Sequence, residues 1–191
     1  IIKDIYIIAI GRALQAIVSI ATLRALTTFF EKDEIADYYL IYSIIFFYTY
    51  VTLGGFSAYF NRHLIESESH PHSQFTRYMR QVFLLGFMGI PINYLTLDFF
   101  INIENEKIFL VIFIIFSNVT FSTILRNLLT SINIYQNVKF FVLFNLLSLI
   151  FGIVLAVVIN LHFEVSIENW FIGLIIGEWL VLPVVYLKFR K

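Results

Sequence analysis

Residues 140–159 read FFVLFNLLSLIFGIVLAVVI, an apolar run without a single charged side chain. A helix that crosses the roughly 30 Å hydrocarbon layer needs about 20 such residues. A membrane-spanning strand needs only about ten, with apolar and polar positions alternating, and this run neither alternates nor stops. The stretch is therefore predicted to be a membrane helix. Extended in both directions, the same reading gives six spans: residues 5–30, 38–60, 82–97, 108–129, 140–159 and 170–187. The second and fifth carry no charge. The first holds Arg12 and Arg24, and the sixth holds Glu178. The third is short and contains Pro91, which membrane helices tolerate when neighbours satisfy the freed backbone. The expected fold class is all-α: a polytopic bundle of six transmembrane helices forming a single lobe over residues 1–191.

Composition points the same way. The 191 residues are 60% hydrophobic and 14% charged, against about 45–50% and about 25% in soluble domains, and the mean hydropathy is +0.86. One core of this size cannot hide that excess from water. A formal net charge of 0 gives no reason to seek nucleic acid. The absence of cysteine excludes a disulfide framework, a thiolate metal site and a cysteine nucleophile.

Orientation follows from the lysines and arginines. With the N-terminus inside, the inner segments hold Lys3, Arg62, Arg77, Arg80, Arg126, Lys139, Lys188, Arg190 and Lys191, and the outer ones only Lys32 and Lys107. This positive-inside bias places both termini in the cytoplasm. The first run is not a cleaved signal, because Arg12 interrupts it and no small-residue cleavage site follows.

Ionisable groups inside spans are functional candidates, since insertion of a mid-membrane arginine costs about 2.5–3.5 kcal/mol. Arg12, Gln15, Ser19 and Thr22 recur at helical spacing on one arc of the first span, as a cavity-facing stripe would; snorkelling of Arg12 to the nearby cytoplasmic edge is the alternative. Arg24 reads as snorkelling. In the fourth span Asn118, Ser122, Arg126 and Asn133 share a face opposite Phe121, Ile124 and Leu128. Tyr38, Tyr42, Thr49, Thr52 and Tyr59 make a third stripe, which ends at Asn61 and Arg62. Helix packing through hydroxyls and amides is the plain explanation of such stripes; three of them with arginines suggest a shared hydrated lumen. Guanidinium groups stay charged and match phosphate oxygens bidentately, so a pyrophosphate or acidic sugar is the natural guest, and tyrosine walls suit sugar rings.

Other features read as structure. Gly173 and Gly177 form a small-xxx-small pair, and Asn145, Ser148, Gly152 and Ala156 a matching face on the fifth span. Glu178 is either a proton-coupling carboxylate or an arginine partner. His63, Glu66, Glu68, His70 and His72 lack the thiolates or the helical His-x-x-x-His spacing of a zinc site and read as a solvated loop. No paired-aspartate cluster, serine–histidine pair or phosphate-binding loop is present, so neither a catalytic site nor a cofactor is expected.

The first span, Gly11-Arg12-Ala13-Leu14-Gln15 running to Leu23-Arg24-Ala25-Leu26, resembles the opening helix of polysaccharide flippases of the multidrug/oligosaccharidyl-lipid/polysaccharide (MOP) superfamily. The acidic turn and tyrosines of Glu34-Ile35-Ala36-Asp37-Tyr38-Tyr39, the ending Leu53-Gly54-Gly55-Phe56-Ser57-Ala58 through Arg62, and the connection from Asn133 to Lys139 leading to Asn145 are similar to that family's too. The resemblance implies two six-helix lobes that rock between inward-open and outward-open states. A cationic cavity would carry the head group of a polyprenyl-pyrophosphate-linked oligosaccharide while the lipid tail stays in the bilayer. By this likeness Arg12, Gln15 and Arg62 contact the head group and Arg126 lines the inner mouth. The chain holds six spans, so the partner lobe is expected either as a missing C-terminal lobe or as a second copy. A membrane-embedded glycan polymerase or acyltransferase would need a large outer loop, and the longest here is about ten residues. A non-transporting scaffold subunit predicts that the span arginines are dispensable.

Overall fold

The computed structural model describes residues 2–66, 71–100, 105–134 and 137–189. Among the described residues all regular structure is helical: α1 (Ile2–Phe29), α2 (Lys32–Phe47), a π-helical turn (Tyr48–Thr52), α3 (Gly54–Glu66), α4 (Pro71–Phe100), α5 (Asn105–Ile134), α6 (Val138–His162) and α7 (Ile167–Phe189). Four helical stretches are long and apolar enough to cross a membrane: Asp4–Phe29, Lys107–Ile134, Val138–His162 and Ile167–Phe189. The bent pair Lys32–Thr52 and Gly54–His63 makes a fifth if counted as one broken span. The third expected span lies inside α4, and Pro91 does not interrupt that helix.

Two segments differ from expectation. The run 38–60 is broken. Tyr48–Thr52 winds as a π-helix, Leu53 N–H reaches back to Tyr48 O at 3.1 Å, and the axis turns by 43° before α3. An i→i+5 turn shifts the helical register beyond Tyr48, and Tyr38 and Tyr42 already differ in burial within α2, so the tyrosine–threonine stripe read at a 3.6-residue period is not buried as one face. Tyr38 and Thr49 are buried, while Tyr42, Thr52 and Tyr59 are exposed. The polar segment 61–81 is largely helical as well, taken up by the end of α3 and the start of α4.

Helix ends follow local chemistry. Glu31 N–H donates to Glu34 Oε2 at 2.9 Å and starts α2 in the manner of a capping box. Asn137 caps α6 by accepting from Phe140 N–H. The α6–α7 turn is tied by Asn160, whose Nδ2 donates to Ala156 O at 2.8 Å while its Oδ1 accepts from Ser166 N–H at 2.9 Å. Ser166 Oγ accepts from Asn169 N–H, and Asn169 Nδ2 donates to Glu164 O.

The chain divides into two compact units, residues 1–38 with 125–191, and residues 39–124. In the first, α6 and α7 meet along small residues. A Cβ on Gly173 would land on the Ala156 backbone and one on Gly177 on the Gly152 backbone, so the helices touch main chain to main chain. This is the approach that small-xxx-small spacing allows. Helix α1 rests on α6, with Gly11 against Val142, and Trp170 closes the end of the unit among Phe29 and Phe30. In the second unit Phe83 meets Phe121 edge-on, Gly86 admits Thr120 and Phe116, and Tyr48 lies over Gly89. At the other end of α4, Phe60 stacks on Tyr78 at 4.3 Å and Phe75 is fully buried beside them.

Candidate functional site

Helix α1 presents its polar stripe along the margin of its contact with α6. Gly11 and Leu26 are buried, Gln15 and Thr22 half-buried, and Arg12 and Ser19 exposed. The Arg12 guanidinium donates through Nη1 to Gln15 Oε1 at 3.0 Å, which the i,i+3 spacing permits within one helix. Thr22 Oγ1 donates to Val18 O at 2.8 Å, so its hydroxyl is satisfied by its own backbone. Only 6% of the apolar stretch of α1 is buried by the rest of the chain. Arg12 and Ser19 are thus left exposed, with the guanidinium tied to the half-buried Gln15. Arg24 is exposed near the other end, where its carbonyl accepts from Thr27 and Thr28 hydroxyls.

Helix α5 carries two polar faces. Ser117, Thr120, Thr123, Asn127 and Ser131 are buried with Ile124 and Leu128. Asn118, Ser122 and Asn133 are half-buried and Arg126 is exposed. Ser122 Oγ donates to Asn118 Oδ1 at 3.3 Å, and the Arg126 carbonyl accepts from Thr130. The outward face is the stripe expected from spacing. The inward one is additional: its hydroxyls occupy positions that the apolar core fills elsewhere, and nothing but burial distinguishes the two.

Arg62 is exposed on α3. Beside it lies a feature absent from the expectations, a cavity of about 230 Å³ between α3 and α4. Phe56, Tyr59, Phe60 and His63 form one wall, and Gln74, Arg77, Tyr78 and Gln81 the other. The His63 ring lies over Tyr59, centroid to centroid at 4.0 Å, and Ser57 Oγ and Tyr78 OH are hydrogen-bonded at 3.0 Å. Phe56, Tyr59 and Phe60 close the second expected span, whereas His63, Gln74, Arg77, Tyr78 and Gln81 fall in the polar segment expected after it. The amphipathic continuation of α3 and the turn-by-turn spacing of Gln74, Arg77, Tyr78 and Gln81 are the signals that place them on facing helices. Of the group His63, Glu66, Glu68, His70 and His72, the side chains beyond His63 lie outside the described residues; among those described, no cluster suits a metal ion.

Glu178 is half-buried on α7, immediately after the seam residue Gly177. Chemically, α1 and α5 offer fixed cations flanked by amide and hydroxyl groups, and the α3–α4 cavity offers cations beside aromatic rings. Both arrangements suit anions. No known protein family, curated protein or solved structure matches the chain.

Proposed function

We propose that this chain is one lobe of an alternating-access flippase that carries a polyprenyl-pyrophosphate-linked oligosaccharide across the cytoplasmic membrane of a bacterium. In this reading six spans cross the bilayer with both termini inside, α4 supplies the third and the bent α2–α3 pair the second. A second lobe, encoded further on or provided by a second copy, completes the transport path. The observation that supports the reading is the bonded Arg12–Gln15 pair, its arginine exposed, on an apolar helix of which few residues are fully buried. A guanidinium kept within an apolar helix, uncovered by its own chain, is costly in hydrocarbon and useful in water. Arg12, Gln15, Asn118 and Arg126 replace solvent around the phosphates during passage, Arg62 meets the head group at the inner end, and Glu178 is the candidate coupling carboxylate. No covalent chemistry is required of the protein.

The test is made in cells that carry the complete transporter. Arg12→Ala abolishes surface glycan, and Arg12→Lys, which keeps the charge but loses the planar fork, retains only part of it. Surface glycan at the wild-type level in Arg12→Ala removes the residue from the mechanism and the reading with it.

A further inference from the structure

We propose that the α3–α4 cavity is a headgroup site for an anionic phospholipid, with the lipid phosphate held by Arg77 and His63 and the first apolar carbons lying on Phe56 and Phe60. The proposal uses none of the residues assigned to transport. Four observations carry it.

The first is charge. From Gly54 to Leu97 the sequence holds two acids, Glu66 and Glu68, against Arg62, Arg77 and Arg80. Among the described residues that line the cavity the basic side chains are Arg77 and His63 and none is acidic, with Gln74 and Gln81 as neutral hydrogen-bonding groups. An arginine offers a phosphate two parallel N–H donors. The second is the division of the walls. Phe56, Tyr59 and Phe60 are the last residues of the apolar run, while His63, Gln74, Arg77 and Gln81 belong to the polar stretch that follows it. The cavity therefore straddles the level where hydrocarbon gives way to water. Tyrosines concentrate at that level in membrane proteins, and basic pockets there receive lipid head groups.

The third observation is size. About 230 Å³ is below the roughly 300–1,000 Å³ of pockets that enclose a drug-sized ligand. The guest is thus a small group or the end of a longer molecule, and the aromatic floor selects a guest with an apolar end. The fourth is rigidity. Phe60 and Tyr78 are buried and stacked, Tyr78 is bonded to Ser57, and the His63 ring is laid on Tyr59. Phe60 and Tyr78 are set by packing, whereas Arg77 and His63 are exposed at the rim, where a phosphate can reach them.

The experiment uses the full chain, placed in phosphatidylcholine nanodiscs with or without phosphatidylglycerol. Lipid kept after gentle delipidation is read by native mass spectrometry. Wild type retains phosphatidylglycerol in preference to phosphatidylcholine. Arg77→Gln lowers that retention about fivefold, the effect of one basic group at a membrane surface, and Arg24→Gln leaves it unchanged. Gln81→Glu, which brings a negative charge to the same wall without removing Arg77, lowers it as well and serves should Arg77→Gln fail to fold. Undiminished retention in folded Arg77→Gln, or in Gln81→Glu, overturns the site. An equal loss in Arg24→Gln shows surface charge alone and overturns it too. Inorganic phosphate that displaces the lipid at comparable concentration makes the site one for a soluble anion and overturns the lipid assignment.

Discussion

Helix α6 meets its two neighbours in different ways. Against α7 it lies backbone to backbone, with Gly152 and Ala156 opposite Gly177 and Gly173; against α1 the close point is Gly11 on the Val142 side chain. All three helices are apolar, so hydrophobicity does not account for the difference. In a bilayer an apolar face gains nothing by leaving lipid for protein, and association follows how closely the backbones approach and which polar groups bond. The α6–α7 pair satisfies both conditions, since its turn is also tied by Asn160. Helix α1 is held through side chains, at Gly11 on Val142 and at Phe29 on Trp170, and it is the helix that bears Arg12. The proposed transport group therefore sits on a helix that meets α6 through a side chain, less closely than α6 meets α7.

The largest expected effect tests that contrast directly. Gly173→Leu drives a side chain into the Ala156 backbone, which cannot rotate away, and destabilises the purified chain by about 3 kcal/mol, the upper range for overpacking. Gly11→Leu meets a side chain on a helix with room to shift and costs about 1 kcal/mol. Denaturant unfolding in detergent micelles measures both. Equal losses would mean that α1 is held as firmly as α7, and the contrast would fail.

A smaller effect comes from the turn. Asn160 is 2% exposed and supplies both a donor and an acceptor. Asn160→Ala leaves the Ser166 N–H without its partner, at a cost of about 1–3 kcal/mol. Asn160→Asp keeps the acceptor and recovers part of the loss. Amide hydrogen exchange at Ser166 reports the same bond locally: exchange accelerates in Asn160→Ala and less so in Asn160→Asp. No acceleration in either would show that the α6–α7 seam holds the turn without the side chain.

The parts of this fold that the sequence made legible were those written in length and residue size. Runs such as 140–159 are too long for strands, and the Gly173–Gly177 spacing announced a close helix contact that the structure supplies. The break at Tyr48–Thr52 carries no such mark, because no proline or charge falls there and a π-turn forms from ordinary residues. Nor could spacing decide between the two faces of α5: Ser117 and Thr120 recur as regularly as Asn118 and Ser122, and only the packing of Ile124 and Leu128 beside the first set turns it inward. The Arg12–Gln15 bond was implicit in the spacing of the two residues. The α3–α4 cavity was hidden because Arg77 and His63 lie in different helices, which face each other where Phe60 stacks on Tyr78.

The gentlest perturbation asks the most pointed question about α1. The chain has no cysteine, so Ser19→Cys introduces a single thiol, nearly isosteric, at an exposed position of the arginine stripe, with an expected stability change within about 0.5 kcal/mol. Ser148→Cys does the same at a buried position of α6, where the native hydroxyl donates to Asn145 O at 3.0 Å. A thiolate forms readily in water and hardly at all among acyl chains. If the α1 stripe lines an aqueous path, a charged, membrane-impermeant thiol reagent labels Ser19→Cys in intact vesicles and leaves Ser148→Cys unlabelled. If Ser19→Cys is as inert as Ser148→Cys, the stripe faces lipid, Arg12 reaches the membrane edge along its own helix, and the loose seating of α1 has no part in transport.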